Sequence, residues 1–159
     1  MTIARPPLRA AAYLVAMSIA LVGCGSMSIG SGTGASGSAA SYVAEVRAEN
    51  GLPPLTPDSR LEKAALQQAR YMAGTAKMNH TTGHGADFSA RMAKNKIAGP
   101  AAENIAAGRF DTRKVIEVWK DSAPHRRNML DARMRRFGLA YATSDKDPDV
   151  RYWAMVLAK

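Results

Sequence analysis

The chain holds one cysteine, Cys24, among 159 residues. One thiol can neither close an intramolecular disulfide nor build a cysteine-rich metal knuckle, so the core must hold by packing alone. Histidine is nearly as scarce, with only His80, His84 and His125. Aromatic residues make up 6% of the chain, and no run interleaves them with arginines, which removes the usual stacking platform for nucleic acid. Long hydrophobic runs are missing too. Ala10 to Val22, apolar apart from Tyr13 and Ser18, holds 13 residues, well short of the roughly 20 that a membrane-spanning helix needs.

Positive charge, in contrast, is plentiful. The formal net charge is +9; residues 1–23 carry two of the 22 basic side chains and none of the 13 acidic ones, so the remainder carries +7. Such an excess favours anionic partners, whether nucleic acid, phospholipid or cell-wall polymer. Arg5 and Arg9 precede the short apolar stretch, as in a secretory signal peptide, and export points to phospholipid or wall polymer as the partner. Leu21-Val22-Gly23-Cys24 resembles the lipobox of bacterial lipoproteins. That resemblance implies an acylated Cys24 as the first mature residue and a membrane-anchored, extracytoplasmic protein. Glycine at position 25, rather than aspartate, implies the outer membrane facing the periplasm where the host has one, and the cell membrane otherwise.

Three segments follow from composition: a signal peptide over residues 1–23, a lipidated N-terminus and Gly/Ser linker over 24–41, and a folded domain over 42–159. Gly25 to Ser41 is almost entirely Gly, Ser, Ala and Thr, which buries too little apolar surface to fold. Tyr42, Val43 and Val46 start a helical stripe that Gly51 ends. Thr56-Pro57-Asp58 reads as a helix start with Thr56 as the cap, and Leu61, Ala65, Ala69, Met72 and Ala76 carry that helix to about Lys77. A short helix follows Asp87, with Phe88, Met92 and Ala93 on its apolar side. Another opens at Asp111-Thr112, with Val115, Ile116, Val118 and Trp119 facing inward, and Pro124 ends or bends it. Phe137 to Ala142 and Tyr152 to Leu157 read as strands joined by Asp145 to Asp149, and Glu103 to Ala107 supplies a third. Helices first and a hairpin last predict an α+β domain.

The polar residues worth chemistry are few. His80 lies in a loop after an amphipathic helix and His125 at a helix exit, while Glu103 and Asn104 sit among small apolar residues. Two imidazoles and a carboxylate can bind a divalent ion such as zinc or form an acid–base pair. By spacing alone they are equally ordinary surface or cap residues. His84, four places beyond His80, could share a metal if that loop were helical.

Leu52 to Leu55, His80-Thr81, Glu103-Asn104-Ile105-Ala106-Ala107-Gly108, Val118-Trp119-Lys120-Asp121-Ser122-Ala123-Pro124-His125-Arg126-Arg127-Asn128-Met129-Leu130, Gly138 and Tyr152-Trp153 follow one another as in bacterial CAP-superfamily proteins. These are also called SCP-like, or cysteine-rich secretory protein/antigen 5/pathogenesis-related-1, domains. The resemblance runs from about Tyr42 to Val156. It implies a three-layer α-β-α sandwich with a central antiparallel sheet and a surface cleft. It also implies that His80, Glu103 and His125 line that cleft, with Asn104 and Ser122 beside them, and that His80 and His125 hold zinc or another divalent ion in some relatives. A second acidic residue of many relatives falls at Ser122, so paired carboxylates are missing, and Ala102 stands where glycine commonly precedes the glutamate.

Two functions fit these residues. The first is a membrane-anchored binding domain whose cleft takes a small, lipidic or cell-wall ligand or a divalent ion. The alternative is a zinc-dependent hydrolase in which His80 and His125 hold the metal and Glu103 acts on its water. Ser122 as a nucleophile lacks the strained glycine-flanked elbow of serine hydrolases, and Ser-Ala-Pro reads more simply as a cap or turn. Arg126, Arg127, Arg133, Arg135 and Arg136 form a basic stretch, either a solvated surface or a contact for anionic lipid headgroups or wall polymer.

Overall fold

Alternation along two long strands divides the chain into three layers. The computed structural model describes Met1, residues 31–81 and residues 87–159; the rest of the expected signal peptide, Cys24 and His84 lie outside the described residues. In chain order the elements are β1 (Gly32–Gly34), α1 (Ser36–Ala48), β2 (Thr56–Pro57), α2 (Ser59–Thr75), α3 (Phe88–Lys94), β3 (Ala101–Gly108), α4 (Thr112–Asp121), α5 (Ala123–Met129), β4 (Arg136–Ser144) and β5 (Asp147–Ala158). The sheet runs β1-β4-β5-β3 with antiparallel neighbours, and β2 adds a short parallel pairing to the start of β4. Helices cover both faces, as the α+β, α-β-α reading predicts.

Because successive strand side chains point to opposite faces, β4 and β5 build two different cores. Phe137, Leu139, Trp153, Met155 and Leu157 pack with α1, α4 and α5. Ala140, Ala142, Ala154, Val156 and Ala158 pack with α2 and with Met92 of α3. The second face is made mostly of alanine, and α2 answers it with Ala64, Ala65, Ala69 and Ala73. Gly138 is required there: a Cβ at that position would overlap the backbone of Leu61 and Glu62, so only glycine lets helix and sheet approach this closely.

Several expected boundaries move. Residues 32–41, read as linker, are structured: β1 pairs with Ala140 to Ala142, and α1 starts at Ser36 rather than Tyr42. Tertiary partners make this stable. The Glu62 carboxylate accepts the Ser36 amide at 3.0 Å, and the Ser36 hydroxyl accepts from Leu139 N at 2.9 Å. The helix cap before α2 is Asp58, whose Oδ1 accepts from the amides of Arg60 and Leu61 at 2.8 and 3.2 Å, not Thr56. Thr56 and Pro57 are strand because the amides on either side of the proline, Thr56 N and Asp58 N, bond to Arg135 O and Phe137 O. α2 stops at Thr75, two residues before the expected end, and Ala76 closes it in the left-handed region at φ 51°. The anticipated connection shrinks as well, since β5 begins at Asp147.

Candidate functional site

β3 is an edge strand, and its Glu-Asn pair reaches in two directions. Side-chain alternation sends Ile105 into the α2–α3 core and Ala106 into the α4–α5 core. Glu103 shares the side of Ile105, and Asn104 that of Ala106. On the first side, Glu103 Oε1 lies 2.9 Å from His80 Nδ1 and Oε2 accepts from Arg91 Nη2 at 2.5 Å. On the other, Asn104 Nδ2 donates to His125 O at 3.1 Å, and its Oδ1 accepts from Asn128 Nδ2 at 2.8 Å. One dipeptide thus joins the layer that carries His80 to the layer that carries His125.

Each histidine is placed by a different device. His80 follows α2, and the loop is held by Gln68, fully buried on that helix, which donates to Asn79 O at 2.5 Å. The ring is about half exposed (53%), whereas the Glu103 side chain is 3% exposed and Arg91 1%. His125 sits in α5 near the Trp119 ring, centroids 6.5 Å apart, with Nδ1 2.9 Å from Ser122 Oγ. Burial lowers the His125 pKa from its ordinary value, and repulsion from His80 lowers it further. His125 bonds Ser122 and not Glu103.

Ser122 occupies the N-cap position of α5 without making a side-chain cap, and Pro124 lies in its first turn, so the proline starts a helix as well as ending one. Its hydroxyl serves the His125 ring instead. Trp119 is fully buried and donates Nε1 to Ile105 O at 3.1 Å. With Asn128, which donates to Glu103 O at 3.4 Å, it covers carbonyls of the edge strand that would otherwise invite pairing.

Arg91 was missed by pattern reading. Its neighbour Met92 suggested an apolar face, yet Arg91, three residues beyond Phe88, turns inward too, with Cζ 5.9 Å from the Phe88 ring centre. It also donates Nη1 to His80 O at 3.1 Å. The available signal was the uncompensated carboxylate: a glutamate enclosed by alanines requires a cation. Among the five arginines of the basic stretch, Arg133 and Arg136 meet Asp131 and Asp58, each at 2.6 Å, while Arg126 and Arg135 donate to backbone carbonyls.

The donor set does not fit a divalent ion held through Glu103. Both of its oxygens are engaged, and among the described residues no group of three His, Cys, Asp or Glu side chains is placed to hold a metal. Nor is any helix among them long and apolar enough to cross a membrane.

A family model, CAP: Cysteine-rich secretory protein family, matches residues 40–157. An uncharacterised protein, YkwD, of Bacillus subtilis is 29% identical over 99 residues, which is 62% of this chain and 38% of that relative's length. Among solved structures, an outer surface protein of Borrelia burgdorferi superposes with a TM-score of 0.70 at 20% identity, covering 82% of this chain and 98% of its own. An extracellular protein containing an SCP domain from Bacillus anthracis gives 0.67 at 20% identity, over 77% of this chain and 39% of its own. At these identities the structural matches establish the fold.

Proposed function

The chain belongs to the CAP, or cysteine-rich secretory protein, family, and from that premise we propose that it is an extracytoplasmic binding domain, held at a membrane by acylated Cys24. Its ligand site is the polar cluster where β3 meets both helical layers. One observation carries this reading: His80 remains half exposed while Glu103 and Arg91 behind it are buried. A buried ion pair supporting an exposed imidazole is a costly arrangement for packing alone, and it offers a fixed polar group at the surface. The extracellular and outer-surface character of the structural relatives supports the location. The ligand is small, polar or lipidic, drawn from the membrane or wall around the protein.

The zinc-hydrolase alternative has less support, because each oxygen of Glu103 already holds a partner, His80 or Arg91, and the side chain is 3% exposed. Ser122 and His125 lie within hydrogen-bond reach, but among the described residues no carboxylate bonds His125 to orient its ring as a serine mechanism requires.

Two measurements test the proposal. Native mass spectrometry of protein extracted from its own membranes should show a co-purifying small molecule that His80→Ala and His125→Ala both lose while staying folded; identical ligand loads in all three would refute the site. Fractionation and intact mass test the anchor. Cys24→Ser should be released or left unprocessed, since acyl chains supply the buried hydrocarbon that anchoring needs, and a mature wild-type mass without acyl groups would exclude lipidation.

A further inference from the structure

We propose that Arg91 is a positioning residue that makes Glu103 an orienting partner of His80, leaving His80 Nε2 as the atom that meets the ligand. The inference rests on the binding-site reading above and narrows it. Glu103 itself takes no ligand, and the group recognised at His80 is a hydrogen-bond donor such as a hydroxyl or an amide N–H.

Arg91 is 1% exposed and its guanidinium cannot lose its proton in a protein, so the carboxylate 2.5 Å away is held as an anion. An ionised carboxylate only accepts hydrogen bonds. The His80 nitrogen 2.9 Å from its other oxygen must therefore donate, so in the neutral imidazole the single ring proton sits on Nδ1 and Nε2 carries the lone pair. The second ring nitrogen is fixed by the bond the first one makes.

Geometry adds a second constraint. Arg91 donates to both Glu103 Oε2 and the backbone carbonyl of His80, so one rigid fork sets the carboxylate and the loop that carries the ring. The fork comes from α3, the carboxylate from β3 and the imidazole from the end of α2. Two helices of one layer and the edge strand of the sheet thereby agree on one ring orientation. A lysine could neutralise the carboxylate but would not span both acceptors in a fixed plane.

The test is nitrogen-detected NMR of histidine side chains in the full chain at pH 8. Wild type should show His80 in the Nδ1–H form with an unprotonated Nε2. Folded Arg91→Met and Glu103→Met should both lose that single-tautomer signature, and Arg91→Lys should restore it only in part. An Nε2–H tautomer in wild type, or an unchanged signature in either folded methionine variant, would overturn the proposal. Glu103→Met supplies the answer if Arg91→Met does not fold, and wild type alone answers if neither does. Zinc chloride titrated by calorimetry is the second probe. Loss of about 1,000-fold or more in zinc affinity on Glu103→Gln would make Glu103 a ligand and refute its orienting role; no zinc binding, or a loss within the 10–100-fold of an outer-shell partner, supports it. Neither measurement depends on the co-purifying molecule, so this proposal and the binding function can fail separately.

Discussion

The two faces of the sheet solve the same packing problem in opposite ways. Toward α1, α4 and α5 the sheet presents Phe137, Leu139, Trp153, Met155 and Leu157, and the helices reply with Val43, Val46, Ile116, Trp119 and Met129. Toward α2 it presents mostly glycine and alanine, with Ile105, Tyr152 and Val156 as the larger residues, and the helix replies with four alanines and a few larger residues. The bulky face is stabilised by volume and tolerates modest change in spacing. The small face is stabilised by proximity, with helix backbone against sheet backbone, and has no spacing to give. Bulky faces should therefore fail when emptied and small faces when filled.

The largest expected effect comes from filling the small face. Gly138→Val should abolish the native fold, because its Cβ meets α2 backbone rather than a movable side chain; loss of the cooperative urea transition is the readout, and a variant within about 1 kcal/mol of wild type would refute the close-approach argument. Emptying the bulky face comes next. Trp119→Ala should cost ~3–5 kcal/mol in urea unfolding, the cavity it leaves being accompanied by loss of the Nε1 bond to Ile105 O. The ion pair between α3 and β3 sharpens the comparison, since it sits on the small-residue side yet holds a large side chain. Arg91→Met should cost about 3 kcal/mol by stranding the buried Glu103 charge, whereas Arg91→Met combined with Glu103→Met should cost clearly less. A strictly additive double variant would show that the two side chains do not act as a unit.

The smallest effect concerns the other helical layer. The lowered pKa of His125 means that the unfolded chain binds its proton more readily than the folded one. Stability then rises with pH across the window below the ordinary value of 6.5 and is lost as pH falls through it. His125→Gln should flatten this dependence between pH 7 and 5 by less than about 1 kcal/mol, the ring being partly exposed. An unchanged pH profile in thermal unfolding would assign that dependence to other groups.

Most of the fold was legible where chemistry is local. α3 follows Asp87 and α4 opens after Asp111 as read, each aspartate capping its helix through a bond to Ala90 N or Lys114 N, and the three expected strands all pair. Legibility failed where stability comes from a distant partner. Ser36 and Gly34 look like linker because nothing nearby in the chain explains them; Glu62 and Leu139 do. Ala39, Val43 and Val46 do recur at helical spacing, a signal hidden by the glycine- and serine-rich run that precedes them.

The candidate site divides along the same line. Residue types drew attention to Glu103 and Asn104, because a carboxylate and an amide among alanines demand partners, and the resemblance to the CAP family implied a cleft shared with His80, Ser122 and His125. What each of them does was decided in three dimensions. Alternation along β3 sends Glu103 and Asn104 to different layers, so the carboxylate meets His80 and Arg91 while the amide meets α5. Composition alone dictated a disulfide-free domain with helices before its hairpin, since those follow from counting thiols and from local periodicity. Only the tertiary structure could put Arg91 against Glu103, because a buried charge is satisfied by whichever opposite charge the packing of separate elements brings within reach.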